Sequence, residues 1–303
     1  MLSKALPPAL NILRCLETEP PSIDFVLPGF LAGTVGGLVA AGGVGKSTLA
    51  LQAAMAIAVD VAGADLLGLD TQKHGRVVIL AGEDPEVVLH LRINTIASGL
   101  SASARKTLAQ ALTIFPAVGH GVDIMDNEWF EALRRTCVGA RLVVVDTLTR
   151  FHRRDENNTA DAKAVMATLE RLASLTGAAV LYLHHVSKAA AMGGMADLQQ
   201  AARGSSVFVD NARWLAFMAS MTAEEAKAMR LAGNDRWRYV RMGVSKPNYD
   251  APTADRWYRR GDGGLLLPWD GLSEGPGAAP AADVPNTDRR AGRTARSGEV
   301  TYV

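Results

Sequence analysis

The chain has 303 residues, 48% of them hydrophobic and 21% charged, and a formal net charge of +1; it is long and apolar enough to bury a large core. The near-zero balance excludes a global basic field, so any contact with nucleic acid must come from local clusters or from repetition in an oligomer. No run approaches the roughly 20 apolar residues of a membrane span. Two cysteines, Cys15 and Cys137, in a chain without a secretory leader predict a reduced, cytoplasmic, soluble protein with no membrane association.

Along the chain, apolar β-rich runs alternate with amphipathic helical stretches. Strands are predicted over 33–39, 76–81, 112–116, 142–146 and 178–184, and helices over 46–62, 86–99, 127–137 and 159–176. Near-continuous apolar strands separated by helices imply an α/β fold, a mainly parallel twisted sheet with helices on both faces. The pattern changes after residue 205. Segments 236–249 and 255–268 alternate polar and apolar residues, the second around Gly261-Asp262-Gly263-Gly264, which predicts antiparallel strands or a hairpin at the sheet edge. From Leu272 the chain is rich in Gly, Ala, Pro and Arg, and reads as a disordered tail.

Between the first long strand and its helix lies Ala40-Ala41-Gly42-Gly43-Val44-Gly45-Lys46-Ser47. Glycines at this spacing let backbone N–H groups converge on phosphate oxygens, Lys46 neutralises the β and γ charges, and the Ser47 hydroxyl is placed to ligate Mg²⁺. The helix adds its positive dipole end to the same anion. The expected nucleotide set is Gly42, Gly43, Val44, Gly45, Lys46, Ser47 and Thr48, with ATP and Mg²⁺ as the ligands. Ala40 stands where the strict pattern has glycine.

Four further groups carry candidate chemistry. Arg141-Leu-Val-Val-Val-Asp146 is an apolar strand ending in an acid, the arrangement that holds a Mg²⁺ hydration shell; the bland alternative for Asp146 is a helix cap. The strand from Val77 ends in Glu83 and Asp84, at the end where ligands bind in open α/β sheets. Glu83 is the expected general base and Asp84 the competing choice. His184 and His185 close the strand from Ala178, where one of them could sense the γ-phosphate, unless the two are simply hydrogen-bonded structural histidines. Arg203 and Arg213 are candidates for a finger aimed at a neighbour's γ-phosphate, or equally surface salt-bridge partners.

Two long loops leave the same predicted end of the sheet. One carries Arg153 and Arg154, the other Lys188, Gly193 and Gly194. These cations are plausible phosphate contacts that six copies around a ring would sum into a basic channel; the alternative is ordinary solvated charge.

Taken in order, Asp24-Phe-Val-Leu-Pro28, Ala32-Gly-Thr-Val-Gly36, Gly42 to Ser47, Glu83-Asp-Pro85, Asp146-Thr-Leu-Thr-Arg-Phe-His152, Leu183-His-His-Val-Ser-Lys188, Arg203 to Trp214, Gly243-Val-Ser-Lys246 and Ala254-Asp-Arg-Trp257 cover most of residues 10–268. In this series the chain resembles the RepA-type hexameric replicative helicases of broad-host-range plasmids, which have a RecA-like P-loop ATPase core. The resemblance implies a homo-hexameric ring, ATP at each subunit interface, single-stranded DNA in the channel and 5′-to-3′ translocation. Plasmid initiator and primase proteins would be further partners. It gives Lys46 and Ser47 the phosphate and metal roles, Glu83 the base, Asp146 the metal shell, His185 or His184 the sensor, and Arg213 the finger in trans. Lys246 resembles a second cation reaching across the interface; the arginine that such rings often carry two residues later is here Asn248.

The expected organisation is an N-terminal segment, 1–21, a RecA-like ATPase domain, 22–271, and a tail, 272–303. Residues 8–19 read as an amphipathic helix that docks on a neighbour or packs as a local core helix. The function expected is an ATP-driven, ring-forming DNA helicase. A RecA-like ATPase that binds or regulates DNA without unwinding it keeps the same residues and is the principal alternative. A small-molecule kinase fits poorly, since no compact substrate lid is visible.

Overall fold

The computed structural model describes residue 6 and residues 8–186, 206–231, 233–249 and 253–271. The compact unit runs to Trp269, and a second unit takes the chain from Asp270 to Val303. The predicted Lys188 and Arg203, the Gly193-Gly194 segment and the tail from 272 lie outside the described residues.

Before the sheet come a short helix α1 (Ile12–Glu17) and the small hairpin β1 (Phe25–Leu27) and β2 (Phe30–Leu31). The central elements follow as β3 (Val35–Ala40), α2 (Lys46–Ala58), β4 (Val77–Ala81), α3 (Glu86–Ile96), α4 (Ala102–Ala111), β5 (Leu112–Pro116), α5 (Asn127–Cys137), β6 (Leu142–Asp146), α6 (Thr159–Thr176) and β7 (Ala179–His185). The last part is α7 (Ser206–Asn211), β8 (Trp214–Ser220), α8 (Ala223–Ala228), β9 (Tyr239–Pro247), β10 (Arg256–Arg260) and β11 (Leu266–Trp269).

Nine strands form one sheet in the order β11-β10-β9-β8-β3-β7-β6-β4-β5. The six from β8 to β5 are parallel, and β9, β10 and β11 join antiparallel at the edge, as the alternating C-terminal segments predict. The parallel strands are buried on both faces: Leu142 and Val144 face the α2 and α4 side, Val143 and Val145 the α5 and α6 side. Helix α2 is buried almost all round, as its Ala/Leu composition requires.

Boundaries differ where local chemistry intervenes. The helix predicted to 62 stops at Ala58, because Val59 is already extended and the Ile57 carbonyl is taken by the N–H of Gly75, on the approach to β4. β8 has no predicted counterpart. Its run Trp-Leu-Ala-Phe-Met-Ala-Ser is apolar without alternation, a pattern shared by buried strands and buried helices; pairing with β3 on one side and β9 on the other makes it the strand where the sheet changes from parallel to antiparallel. α4 has no predicted counterpart either: only Ala104 and Leu108 of its ten residues are buried, too weak a periodic signal to read.

Helix α1 buries none of its residues, and Leu10, Leu13 and Leu16 are exposed.

Candidate nucleotide site

All the chemistry-bearing residues of the parallel strands gather at their carboxyl ends, because parallel pairing aligns those ends. β3 runs into the Gly-rich loop, β4 into Glu83, β6 into Asp146 and β7 into His185, with Ala40 opposite His185 and Ala81 opposite Asp146 in register. The loop turns through Gly43 at φ 78° and Gly45 at φ 105°, the left-handed region that favours glycine. Gly45 caps α2, so the helix's free N–H groups face the loop's concavity. Close packing fixes the approach to Glu83 as well: a Cβ on Gly82 would lie 2.7 Å from Arg150 Cβ and 2.9 Å from the Phe151 ring.

Lys46 is 5% exposed and lies over this concavity. Its Nζ donates to the carbonyls of Ala40 at 3.0 Å and Ala41 at 3.2 Å, and stands 3.1 Å from His185 Nδ1. Burial pushes its pKa down to about 8, against the opposing pull of Asp146 and Glu83. Burial likewise pushes the Asp146 carboxyl up to about 6; a hydrogen bond with Ser47 works against this, and Glu83 and Asp84 add to it.

Asp146 Oδ1 is buried with no hydrogen-bond partner, beside the Ser47 hydroxyl. One unsatisfied carboxylate oxygen with an adjacent hydroxyl is a hard oxygen donor set that suits Mg²⁺, which keeps most of its shell for water and phosphate oxygens. Among the described residues no cluster of three or more His, Cys, Asp or Glu side chains has metal-holding geometry, so the donor set fits a cation shared with phosphate rather than a protein-only cage.

Glu83 Oε1 accepts from Thr147 Oγ1 at 2.9 Å and lies 3.4 Å from His185 Nε2 and 3.9 Å from Arg150 Nε. Asp84 is instead ion-paired and hydrogen-bonded to Arg92 of α3. The two histidines part company. His185 projects into the cleft, its side chain 41% exposed. His184 is buried, 5.3 Å from the Phe208 ring and 4.0 Å from Glu156 Oε1, and burial lowers its pKa.

Lys46, Ser47, Glu83, Asp84 and His185 line a cavity of about 380 Å³ whose walls also include Thr48, Arg92, Thr147, Arg260, Gly263 and Gly264. Sequence reasoning missed Thr147, Arg92, Arg260 and the turn at Gly263 as parts of the site. Thr147 follows the predicted metal acid directly and carried a signal; Arg260 is more than two hundred residues from the loop it touches and carried none. A larger hollow of about 470 Å³ lies away from the glycine-rich loop, between α3, α4 and β5, and is lined mainly by apolar side chains.

Other predicted residues lie elsewhere. Arg153 and Arg154 are exposed in the loop after β6, at the same end of the sheet as the cavity, each near an acid: 3.9 Å to Asp123 and 3.6 Å to Asp161. Arg213 stands exposed at the other end, where its N–H bonds the Val35 carbonyl at the start of β3. Lys246, opposite Leu215 in the β8–β9 register, donates to the Asp210 carbonyl at 2.6 Å and feels the Arg213 charge. The six residues of β3, about 17 Å of strand, separate this pair from the glycine-rich loop of the same chain.

Sheet order, loop and carboxylates together define a RecA-like P-loop NTPase. The chain belongs to the AAA_25 family of AAA domains, which matches it over residues 4–191. Among solved structures it is similar to a DnaB-like replicative helicase, described with its interactions with primase, at TM-score 0.54 and 16% identity over 84% of this chain and 64% of that one. It is also similar to the RadB recombinase, at TM-score 0.51 and 14% identity over 78% of this chain and 90% of that one. The chain thus spans less than two thirds of the helicase and most of the recombinase. No helix among the described residues is long and apolar enough to cross a membrane.

Proposed function

We propose that this chain is an ATP-dependent replicative DNA helicase, a homo-hexameric motor that moves 5′ to 3′ on single-stranded DNA and unwinds duplex in plasmid or mobile-element replication. The observation that carries the reading is the division of cations between opposite ends of one sheet. Lys46 sits with Glu83 and Asp146 at the carboxyl ends, while Arg213 and Lys246 stand about 17 Å away at the start of β3 and β8. In one chain they cannot share a nucleotide. Stacked head to tail, each subunit would offer Arg213 and Lys246 to the next subunit's cavity, and such an interface closes into a ring when its rotation permits. The exposed leucines of α1 would dock on a neighbouring copy in the same assembly.

In this reading the P-loop amides and Lys46 hold the phosphates. Mg²⁺, when bound, would neutralise charge on the β- and γ-oxygens, with Ser47 and Asp146 holding it. Glu83, oriented by Thr147, orients the attacking water and accepts its proton. His185, between Lys46 and Glu83, registers the γ-phosphate at the end of β7, and the chain beyond it carries Lys188 to the DNA with Arg153 and Arg154. Arg203 is the alternative finger to Arg213. Primase and a plasmid initiator are the proposed protein partners.

A second reading, an ATP-dependent DNA-binding or regulatory ATPase that does not unwind, is favoured by coverage: the chain spans 90% of the RadB recombinase but 64% of the helicase. ATPase rate with and without single-stranded DNA, measured beside unwinding of a forked duplex with a 5′ tail, separates the two. Stimulation with strand separation supports the motor, and stimulation without separation supports the second reading. Full ATPase activity in Lys46→Ala would overturn both.

A further inference from the structure

Arg260 ends β10, and its guanidinium closes onto the glycine-rich loop. Nη2 donates to the carbonyls of Gly43 at 3.3 Å and Val44 at 2.8 Å, while Nη1 donates to the Trp237 carbonyl at 3.0 Å. A trans peptide is planar, with its C=O and N–H pointing in opposite directions. The Gly43 carbonyl shares its plane with the Val44 N–H, and the Val44 carbonyl shares its plane with the Gly45 N–H. Pinning the two oxygens therefore aims those two N–H groups away from Arg260. Glycines flank both peptides, so without the pin their rotation is soft. A cation at the oxygen end also polarises each peptide, making the N–H a better donor to an anion.

The arginine is itself held from the other side. It is the register partner of Leu266 in β11, and Leu266 N–H and C=O are both bonded, each at 2.8 Å, by the side chain of Gln52, a fully buried residue of α2. Because α2 grows directly out of the loop, the Gln52 and Arg260 hydrogen bonds, joined by the strand pairing of Leu266 with Arg260, form a closed circuit: loop, α2, Gln52, Leu266, Arg260, loop.

We propose that Arg260 is a positioning residue for nucleotide phosphate, acting from within the same subunit by fixing the Val44 and Gly45 amides in their anion-binding orientation through the circuit that Gln52 closes. The inference rests on the reading of the loop as a nucleotide site. It differs from a finger role, since its partners are carbonyls of its own chain.

The test is affinity for ADP and for ATP, by titration calorimetry on the full chain, beside steady-state ATPase kinetics and the thermal midpoint. Arg260→Ala should weaken both nucleotides by about tenfold, the loss of roughly one hydrogen-bonded cradle element. KM should rise by a similar factor and kcat should stay within about threefold. Arg260→Lys, with a charge but no fork, should recover part of the affinity. Unchanged affinity and KM in Arg260→Ala overturn the proposal, and so does a fall in kcat at constant KM, which would place the residue's effect in the transition state. If the alanine variant fails to fold, the lysine variant decides: wild-type KM with a lowered thermal midpoint makes Arg260 purely structural, while raised KM with an intact midpoint supports positioning. If the wild-type chain binds neither nucleotide and Lys46→Ala is indistinguishable from it, the nucleotide-site reading has failed first.

Discussion

Lys46 Nζ and His185 Nδ1 stand 3.1 Å apart, joining the glycine-rich loop to the end of β7. An ammonium has only hydrogens to offer, so Nδ1 accepts and the ring hydrogen sits on Nε2, which faces Glu83 Oε1 at 3.4 Å. One imidazole thus spans the cation that would meet the phosphate and the carboxylate that would meet the water. In the proposed mechanism a γ-phosphate drawing on Lys46 would compete with Nδ1 and release the ring toward Glu83.

His185→Ala should therefore uncouple binding from turnover. We expect kcat to fall about 10²-fold, within the range for groups that position proton transfer, with ATP affinity within about threefold of wild type. Binding and single-turnover measurements on one preparation check this. Equal losses in both would make His185 a binding group and remove its sensor role.

Arg213→Ala should bind ATP normally and lose turnover by about 10³-fold, because the side chain lies far from its own cavity and would act on a neighbour's. Titrating this variant into wild type at constant total protein should depress activity more steeply than dilution. A linear, additive mixing curve would argue against a finger supplied in trans.

His184 gives the fold a pH dependence of calculable sign. Burial is the main cause of its lowered pKa; Glu156 opposes the shift, and His185, Lys46 and His152 reinforce it. The unfolded histidine takes a proton near pH 6.5 and the folded one only at lower pH, so the unfolded state binds more protons in that window. Stability from this group is fully present above pH 6.5 and is lost as pH falls through the window. Urea unfolding at pH 7.5 and pH 5.5 should show a smaller pH difference in His184→Gln than in wild type. An identical difference in the two proteins would assign the acid sensitivity to other groups.

Gln52→Leu should destabilise the chain by about 2–6 kcal/mol, since it strands the N–H and C=O of Leu266 in a buried place, each costing about 1–3 kcal/mol. Urea unfolding measures it. A change below about 0.5 kcal/mol would mean that β11 finds other partners and that the circuit through α2 is not closed in solution.

Much of this molecule was legible without coordinates, and for specific reasons. The runs from Val77, Leu142 and Ala179 are apolar on both faces, and being short and supplied with β-branched or aromatic residues they suit strands inside a covered parallel sheet. The glycine spacing before Lys46 encodes a local backbone shape, and a local shape needs no partner to be read. β8 was not legible, because its apolar run becomes a strand only by pairing with β3 and β9.

The sequence by itself determined the class: the alternation of strands and helices, the antiparallel edge announced by period-two alternation, and the loop, acids and histidines that parallel strands bring to one end. Tertiary structure decided how two adjacent like residues divide. His185 faces it and His184 does not, and Asp84 pairs with Arg92 while Glu83 takes the hydroxyl of Thr147. It also decided that Arg260 lines the cavity and that Gln52 holds the strand paired with it. Spacing along a chain fixes dihedral angles and faces, whereas contacts across some two hundred residues depend on how sheet edges and helices pack, and no local pattern records that.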